Sequence, residues 1–302
     1  MAKGAKIWLT VAVILIISGI LLFACTMTAN GWDFTKLDTT DYKTNTYSLR
    51  ESFRNISIAA DTADILFAPS TDGSCTVLCY EAANAGHTVS VVDDTLTIQV
   101  DSSKNLLDYI GMNFETPTIT VYLPEAEYQS LSIRSSTGDI EIPAYFLFAD
   151  MDIHASTGNI QNFASVSGAM SLRVSTGNIA IESITASALT LTTSTGRITG
   201  NNIICTALRS TGNTGDIILK NVIAEDAISI ERSTGDVTLQ SCDAPQLWIQ
   251  TNTGDVTGSL LSRKVFIVQS DTGKITVPES TTGGTCKIST TTGDIRITLV
   301  ND

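Results

Sequence analysis

The sequence contains few of the residues that enzymes use for catalysis. Its 302 residues include two histidines, His87 and His154, and neither has a second potential metal ligand at a characteristic spacing. It has no nucleophile elbow, phosphate-binding loop or zinc-ligand motif. The many aspartates recur because a turn recurs, so they are not interpreted as the paired carboxylates of a glycosidase. The sequence therefore predicts a non-enzymatic protein without catalytic residues, cofactor or bound metal, and it assigns no ligand-binding residues.

Charged residues are also scarce, and those present are mostly acidic. They make up 16% of the chain, with 18 Lys and Arg against 31 Asp and Glu, for a formal net charge of −13. Nucleic acids and anionic lipid surfaces attract basic proteins. The composition therefore predicts that nucleic acid is not a partner and that the acidic part of the chain is soluble.

Cysteine is too rare to form a disulfide framework. The chain has six cysteines, and setting aside Cys25 leaves an odd number. Cys75 and Cys79 face the same side of a predicted strand, four residues apart, which is too far for a bond in a straight strand. The remaining cysteines do not occupy one repeat position. We expect buried free thiols at Cys75, Cys79, Cys205, Cys242 and Cys286.

One long apolar run stands near the N-terminus. Residues Ile7–Ala24 carry no charge over 18 positions, and as a helix they would span about 27 Å. Trp8 and Trp32 bracket the run, as interfacial aromatic residues do. Lys3 and Lys6 precede it, which predicts a cytoplasmic N-terminus by the positive-inside rule. The sequence thus predicts a single-pass membrane protein whose C-terminal part is extracellular.

Two other interpretations of the apolar run remain open. Leu22-Phe23-Ala24-Cys25 is close to a lipoprotein signal, in which Cys25 would be lipidated, although Phe23 is bulky for its position. A cleaved secretion signal is the third interpretation, but such signals have shorter apolar stretches. All three place the rest of the chain outside the cytoplasmic membrane.

A Thr-Gly-Asp turn recurs along the second half of the chain. Its first clear copy is Ser136-Thr137-Gly138-Asp139-Ile140, and copies follow every 19 or 20 residues. A near-constant period is the mark of a repeat protein. The turn glycines are Gly138, Gly158, Gly177, Gly196, Gly215, Gly235, Gly254, Gly273 and Gly293.

Apolar residues flank each turn with a period of two. They occur five and seven positions before the glycine and two positions after it, as at Leu131, Ile133 and Ile140. This alternation predicts strands with one buried face, and glycine supplies the positive φ of the corner between them. An antiparallel meander would allow its other loops to vary in length, whereas a solenoid fixes its period. We therefore predict an all-β fold, a β-solenoid (β-helix) with 19–20-residue coils stacked about 4.8 Å apart.

The residues after the turn glycines form a predicted ladder. Three adjacent acids, Asp216, Asp236 and Asp255, lie between Arg197 and Lys274 in sequence order. Neighbouring carboxylates in water repel by less than about 1 kcal/mol at such distances. We therefore expect no bound cation on this ladder.

One aromatic cluster interrupts the repeats. Tyr145-Phe146-Leu147-Phe148 lies between the first two regular coils. Its simplest interpretation is a loop folded over a hollow between cap and rod. The alternative is an exposed contact patch for a partner.

The chain divides into five predicted segments. Residues 1–6 are a cytoplasmic N-terminus, 7–24 a transmembrane helix, 25–50 a juxtamembrane stalk, 51–118 an irregular β cap, and 119–302 the regular solenoid. A degenerate copy of the turn falls within the cap, with Ala63 at the glycine position. No cap is visible after the last repeat, although an open strand edge needs protection.

Three features together resemble a known family. The apolar span is followed by Asn30-Gly31-Trp32-Asp33-Phe34-Thr35-Lys36-Leu37, and Ile119-Thr120-Val121-Tyr122-Leu123-Pro124 precedes the serial Ser-Thr-Gly-Asp-Ile units. This combination resembles the adhesin family of domain of unknown function 4097 (DUF4097). The resemblance covers most of the chain from about residue 31. It implies a bacterial surface protein with a β-solenoid and no catalytic residues, and some relatives are linked to envelope stress.

The sequence and the resemblance predict a non-enzymatic, membrane-anchored, extracellular β-solenoid. We expect it to act as an adhesin-like binding or scaffold surface in the bacterial cell envelope. Cell-wall polymer, a host surface and a membrane-protein partner are the candidate partners. The alternative is an envelope-stress sensor that acts through a membrane partner, and the least favoured is an enzyme acting on wall glycan.

Overall fold

The computed structural model describes residues 3–33, 41–83, 86–101 and 115–300. These residues form one helix, α1 (Lys3–Ala29), and 23 strands. The strands are β1 (Tyr42–Leu49), β2 (Asn55–Thr62), β3 (Asp64–Pro69), β4 (Cys75–Ala82), β5 (His87–Val92), β6 (Thr95–Val100), β7 (Thr118–Leu123), β8 (Glu127–Thr137), β9 (Ile140–Ile142), β10 (Leu147–Thr157), β11 (Ile160–Asn162), β12 (Ser165–Val166), β13 (Ala169–Thr176), β14 (Ile179–Thr195), β15 (Ile198–Thr214), β16 (Ile217–Thr234), β17 (Val237–Cys242), β18 (Gln246–Thr253), β19 (Val256–Leu260), β20 (Lys264–Thr272), β21 (Ile275–Thr276), β22 (Gly284–Thr292) and β23 (Ile295–Leu299).

The helix α1 is longer than the predicted span at both ends. Residues Lys6–Ala29 have a mean hydropathy of 2.8, and none of their most apolar window is buried against the rest of the protein. Length and composition suit a membrane span, and they also suit a signal sequence. The single apolar helix near the N-terminus is thus present as predicted, and its orientation stays a prediction.

The strands after residue 127 wind into a β-solenoid, which confirms the predicted fold. Strand β14 pairs in parallel with β15 over three segments, which begin at Ile179↔Ile198, Ile184↔Ile203 and Ala188↔Ala207. Each coil therefore contributes three short rungs to three parallel ladders. Side chains alternate along the rungs, so Ile, Leu and Val fill one continuous core along the rod.

All nine turn glycines adopt the conformation predicted for them. Their φ values lie between 120° and 157°, a region that side-chain-bearing residues rarely occupy. The turns also stack directly on one another. A Cβ added to Gly235 would lie 2.2 Å from the carbonyl oxygen of Gly215. Glycine is therefore required both by the backbone angle and by the close approach of the neighbouring coil.

A second corner, which the sequence pattern does not predict, follows the glycine turn. Ser183, Asn202, Asn221 and Ser241 have positive φ values of 50° to 56°. Each lies six residues after a turn glycine. Asn and Ser tolerate this region less well than glycine, but Asn side chains compensate locally. The residue type varies between coils, so no constant motif marks this corner.

The N-terminal end of the rod begins with the degenerate turn. Strand β2 pairs directly with β8, from Asn55↔Ser130 to Thr62↔Thr137. The Ala63 turn therefore stacks on the Gly138 turn, which confirms that it occupies the glycine position of a repeat. The described residues between these two turns form strands β3 to β8 at the end of the rod, where parallel and antiparallel pairings are mixed. Strand β4 pairs with β1 and β7, and the β5–β6 hairpin adds β6 to β2.

Part of the predicted stalk is a strand. Residues 42–49 form β1, which pairs with β4 from Tyr42↔Ala82 to Leu49↔Cys75. This stretch is polar because β1 lies at the edge of the sheet, with only half-buried and exposed side chains. Residues 34–40 of the same segment lie outside the described residues.

The C-terminal end departs from sequence order. Strand β18 pairs with β22, and β22 in turn pairs with β20. The last coil in the sequence, β22–β23, is thus inserted between the β18–β19 coil and the β20–β21 coil. Among the described residues, β20 and β21 form the C-terminal end of the rod. Phe266 and Val268 of β20 are only half-buried against the core. Strand β23, the last strand of the described residues, is therefore held within the stack.

Candidate binding surface

One stripe along the rod, directly before the turn glycines, carries only polar side chains across all nine coils. We define the polar strand face as the residues two and four positions before each turn glycine. None of them is buried, since they alternate with inward-facing core residues along the rung before the turn. Its members are Arg134, Ser136, His154, Ser156, Arg173, Ser175, Thr192, Ser194, Thr211, Asn213, Glu231, Ser233, Gln250, Asn252, Gln269, Asp271, Ser289 and Thr291.

The polar strand face presents hydrogen-bonding groups at a fixed spacing. Adjacent coils are in register along it, as in Thr192↔Thr211. The hydroxyls of these two residues lie 3.2 Å apart. Ser, Thr, Asn and Gln each offer both a donor and an acceptor. The face can therefore satisfy hydroxyl and amide groups of a ligand that repeats along the rod, with a step set by the rung spacing of about 4.8 Å.

The polar strand face is nearly neutral on an acidic protein. Arg134 and Arg173 are balanced by Glu231 and Asp271, whereas the whole chain carries a formal charge of −13. Arg134 also forms an ion pair with Asp152. A face with so little net charge favours uncharged polar ligands over polyanions and polycations.

Two open concavities lie on this face. One has a volume of about 460 Å³ and is lined by residues of four adjacent coils, among them Thr192, Arg209, Asn213 and Gln250. The other has about 400 Å³ and lies near His154 at the N-terminal end of the rod. Their size suits a few units of a small polar ligand, but neither is an enclosed catalytic cleft.

A buried arginine supports the larger concavity from inside. Arg232 is 1% exposed, and its guanidinium Nη1 donates to the hydroxyl of Thr193 at 3.1 Å. The guanidinium reaches across the intervening coil because Gly212 has no side chain, and a Cβ there would lie 2.0 Å from Nη1. Burial lowers the pKa of Arg232, and nearby Asp216 acts in the opposite direction. The sequence pattern does not predict this residue, because an arginine at an inward position breaks the apolar alternation.

The aspartates and asparagines after the turn glycines have a structural role. The side-chain Oδ1 of Asp236 accepts a hydrogen bond from the amide of Asp255 at 2.8 Å, and the same contact repeats along the ladder. The sequence-order prediction of three adjacent acids is wrong. Because the last coil is inserted, Asp294 lies between Asp255 and Lys274, and four acids are adjacent. Lys274 still closes the acidic series at one end.

The two histidines have different environments. His154 is exposed on the polar strand face. His87 is buried, and its ring Nδ1 lies 2.7 Å from Oε2 of Glu81. The sequence shows no partner for His87 at a ligand spacing, and the fold brings Glu81 next to it. Glu81 lies near the end of β4 and His87 begins β5, and a separation of six residues matches no recognised ligand motif.

The cysteines are as expected. All six are free, Cys25 is exposed, and the other five are buried. Burial raises the pKa of Cys75, Cys79 and Cys286 to about 12. Without a bound cation, these thiols stay protonated at neutral pH.

The aromatic cluster between the first two coils divides between core and surface. Phe146 and Phe148 are buried, and Phe148 packs on Tyr128 with ring centroids 5.8 Å apart. Tyr145 is 62% exposed and Leu147 is 55% exposed. The phenylalanines therefore fill the hollow predicted at this place, and the other two side chains stay on the surface.

The fold and the face together define a class: a β-solenoid with an apolar N-terminal helix and one polar face. Residues 53–298 match the family model described as Toastrack DUF4097, so the chain belongs to that family. This confirms the resemblance drawn from the Ser-Thr-Gly-Asp-Ile units.

Three solved structures of bacterial proteins are similar to this chain. A protein described as a putative adhesin from Bacteroides fragilis is 21% identical, with 86% of this chain and 97% of that chain covered and a TM-score of 0.49. A second protein described as a putative adhesin, from Parabacteroides distasonis, is 16% identical, with 87% of this chain and 98% of that chain covered and a TM-score of 0.46. A third, from the same species and described as a putative lipid binding protein, is 13% identical, with 86% and 97% covered and a TM-score of 0.42. A comparison with curated proteins gives no significant match.

Proposed function

We propose that this chain is a membrane-anchored, extracellular β-solenoid whose polar strand face binds an uncharged polar polymer of the bacterial cell envelope. The observation that carries the proposal is the unbroken run of polar side chains along that face. A rod that needed only to fold and stay soluble would tolerate scattered apolar residues there, because about half of a typical protein surface is apolar.

The N-terminal helix supports the membrane anchor. Its apolar window is fully exposed to its surroundings, so it requires an apolar environment that the rest of the protein does not supply. Lys3 and Lys6 precede the apolar run and favour a cytoplasmic N-terminus. The β-solenoid would then stand on the outer side of the membrane, next to the wall polymer.

The chemistry of the face supports a glycan-like ligand. Hydroxyl and amide side chains form ladders along the rod, and Trp248 lies half-buried on the same rung as Gln250, two residues before it. Trp has an apolar ring face together with a polar N–H group, a combination that suits sugar rings. Individual contacts of this kind are weak, so affinity would come from many repeated contacts along an extended polymer.

Co-sedimentation with isolated wall material tests the proposed ligand. The full chain in detergent micelles is mixed with insoluble wall glycan, and bound protein is measured after centrifugation. Ser194→Glu places a charge on the exposed polar strand face and is expected to reduce binding at least about tenfold, which corresponds to a desolvation penalty of about 1.4 kcal/mol for the new carboxylate.

The matched control is Gln240→Glu. Gln240 is also exposed, but it lies on β17, after the turn, on another face of the rod. Its substitution adds the same charge and is expected to leave binding unchanged. If both variants bind as the unaltered chain does, the polar strand face is not the binding surface. If the unaltered chain does not sediment with the polymer, the ligand class is wrong.

A further inference from the structure

A cysteine, a glutamate and a histidine meet inside the antiparallel strands at the N-terminal end of the rod. Cys79 and Glu81 project inward from β4, and His87 begins β5. All three are buried, with exposures of 0%, 1% and 8%. One potential ligand atom from each of them lies within 4.8 Å of the other two. Nothing in the proposed binding surface uses this cluster.

The contacts within the cluster hold the His87 ring in place, but one of its ring nitrogens makes no hydrogen bond to the described residues. The Nδ1 atom of His87 lies 2.7 Å from Oε2 of Glu81, and the backbone amide of His87 donates to the same oxygen at 2.8 Å. Asn45 donates to the other oxygen, Oε1, at 2.5 Å. The Nε2 atom of His87 is buried and has no hydrogen-bond partner among the residues that the structure describes. A buried ring nitrogen without a partner is costly unless something binds it.

We propose that Cys79, Glu81 and His87 form a binding site for one zinc-like divalent cation. Thiolate, imidazole and carboxylate are the three ligand types that zinc uses in proteins. Calcium and magnesium prefer oxygen ligands, so a site with sulfur and nitrogen selects against them. The cluster supplies three protein ligands, which leaves a fourth position for water. Zinc–ligand bonds are about 2.0–2.3 Å long, so atoms that lie within 4.8 Å of one another are near the separations found around one zinc ion.

Binding would remove the unfavourable features of the cluster. The Cys79 thiol loses its proton when it binds the cation, and the proton passes to solvent. Without a cation, burial and the charge of Glu81 raise the pKa of this thiol to about 12. The cation instead provides a positive charge beside the carboxylate and the thiolate. Because a proton is released, binding should tighten as the pH rises.

The site would connect parts of the sheet that no backbone ladder joins. In the described residues, β4 pairs with β1 and β7, whereas β5 pairs with β6. The Glu81–His87 contact is a side-chain link between these two groups of strands. A bound cation would make that link stronger and would stabilise the N-terminal end of the rod by mass action.

Zinc binding by the full chain in detergent micelles tests the site. The protein is stripped with chelator and dialysed against free Zn²⁺, and bound zinc is measured by mass spectrometry. All samples carry Cys25→Ser, since Cys25 is the one exposed thiol. We expect about one zinc per chain, and Cys79→Ser and His87→Gln should each weaken binding at least about tenfold, the lower end of the effect seen when a metal site loses a supporting group.

The matched controls are Cys205→Ser, at another buried cysteine, and His154→Gln, at the exposed histidine. They should bind zinc as the parent does. Unchanged binding in both Cys79→Ser and His87→Gln would overturn the proposal. Cobalt bound to the parent protein gives a second readout that needs no substitution at the site. A thiolate-to-cobalt charge-transfer band is expected, and cobalt binding without that band, or no binding of either metal, would also overturn it.

Discussion

The backbone amide of Asp294 donates a 2.8 Å hydrogen bond to Oδ1 of Asp255, 39 residues earlier in the chain. The corresponding contacts between Asp139 and Asp255 span 19 or 20 residues, as between Asp255 and Asp236, and they are interrupted at Arg197, which has no side-chain acceptor. The separation of 39 residues equals about two repeats, which shows that the last coil lies between two coils that precede it in the sequence. Lys274 then donates from its amide to Asp294 at 2.8 Å.

The inserted coil should make Gly293 more sensitive to substitution than Gly273. Both have positive φ, and a Cβ at either would lie 2.0–2.1 Å from a carbonyl oxygen. The Gly293 turn has neighbours on both sides, whereas the Gly273 turn lies at the end of the stack and can move outward. We expect Gly293→Val to lower the free energy of unfolding by about 3 kcal/mol and Gly273→Val by about 1 kcal/mol. Urea denaturation of the two variants measures the difference, and a larger loss at Gly273 would mean that the coils stack in sequence order.

Gly235 provides a test in the middle of the rod. Its φ is 139°, and a Cβ would lie 2.2 Å from the carbonyl oxygen of Gly215. Gly235→Val is therefore expected to cost about 1–3 kcal/mol or more of stability. The loss should appear as faster hydrogen exchange in coils 215–254, because each coil contacts mainly its neighbours.

The control for Gly235 is Thr238→Val on the following rung. Thr238 is half-buried and alternates with the buried Val237 and Leu239, so its side chain faces outward. This substitution should be nearly neutral, since valine is as good a strand former as threonine. Equal stability of the two variants would disprove the corner assignment, and exchange that rises evenly across the rod would count against a solenoid.

Substitutions at Asp255 distinguish the contribution of hydrogen bonding to stability from that of charge in the turn ladder. Its Oδ1 accepts from Asp294, and its neighbours Asp236 and Asp294 are both acidic. Asp255→Ala should cost about 1 kcal/mol because the acceptor is lost. Asp255→Asn keeps an acceptor and removes two like-charge repulsions, so its stability should equal or exceed that of the unaltered chain at low salt.

Salt dependence checks the charge part of this prediction. Any gain from Asp255→Asn should shrink in high salt, because exposed charges are screened over about 10 Å at 0.1 M ionic strength. Thermal unfolding at two salt concentrations measures it. A loss for Asp255→Asn as large as that for Asp255→Ala would show that the carboxylate charge is needed, as for a bound cation.

Local chemistry explains how much of this structure the sequence could predict. The strand period and the Thr-Gly-Asp turn fixed each coil, since Gly138 and its equivalents satisfy both the corner angle and the close stacking. The order of the last two coils could not be predicted. The turns of Gly273 and Gly293 have the same local sequence pattern. The order of their coils in the stack depends on which earlier coil each segment pairs with. The buried contact of Lys264 with Asp243 at 2.5 Å helps to hold the crossing chain there.

The buried contacts were beyond sequence reasoning for a similar reason. Glu81 and His87 lie on strands that belong to different ladders, and Arg232 contacts Thr193 across a whole coil. Only the three-dimensional path of the chain brings these pairs together. The polar strand face, in contrast, was readable in principle, because every position two and four before a turn glycine is polar. Polar residues are usual at the outward positions of an amphipathic strand, so this pattern alone does not identify a binding surface.

Thiol labelling on whole cells tests the central claim, that the polar strand face is extracellular and in contact with a wall polymer. Ser233→Cys puts a thiol on that face, and Gln240→Cys puts one on another exposed face of the same coil. Both are made with Cys25→Ser, and the other cysteines are buried. A membrane-impermeant thiol reagent should label both positions on wall-stripped cells, and an intact wall should slow labelling at position 233 far more than at position 240. Labelling that appears only after the membrane is permeabilised, or an equal effect of the wall at both positions, would contradict the account.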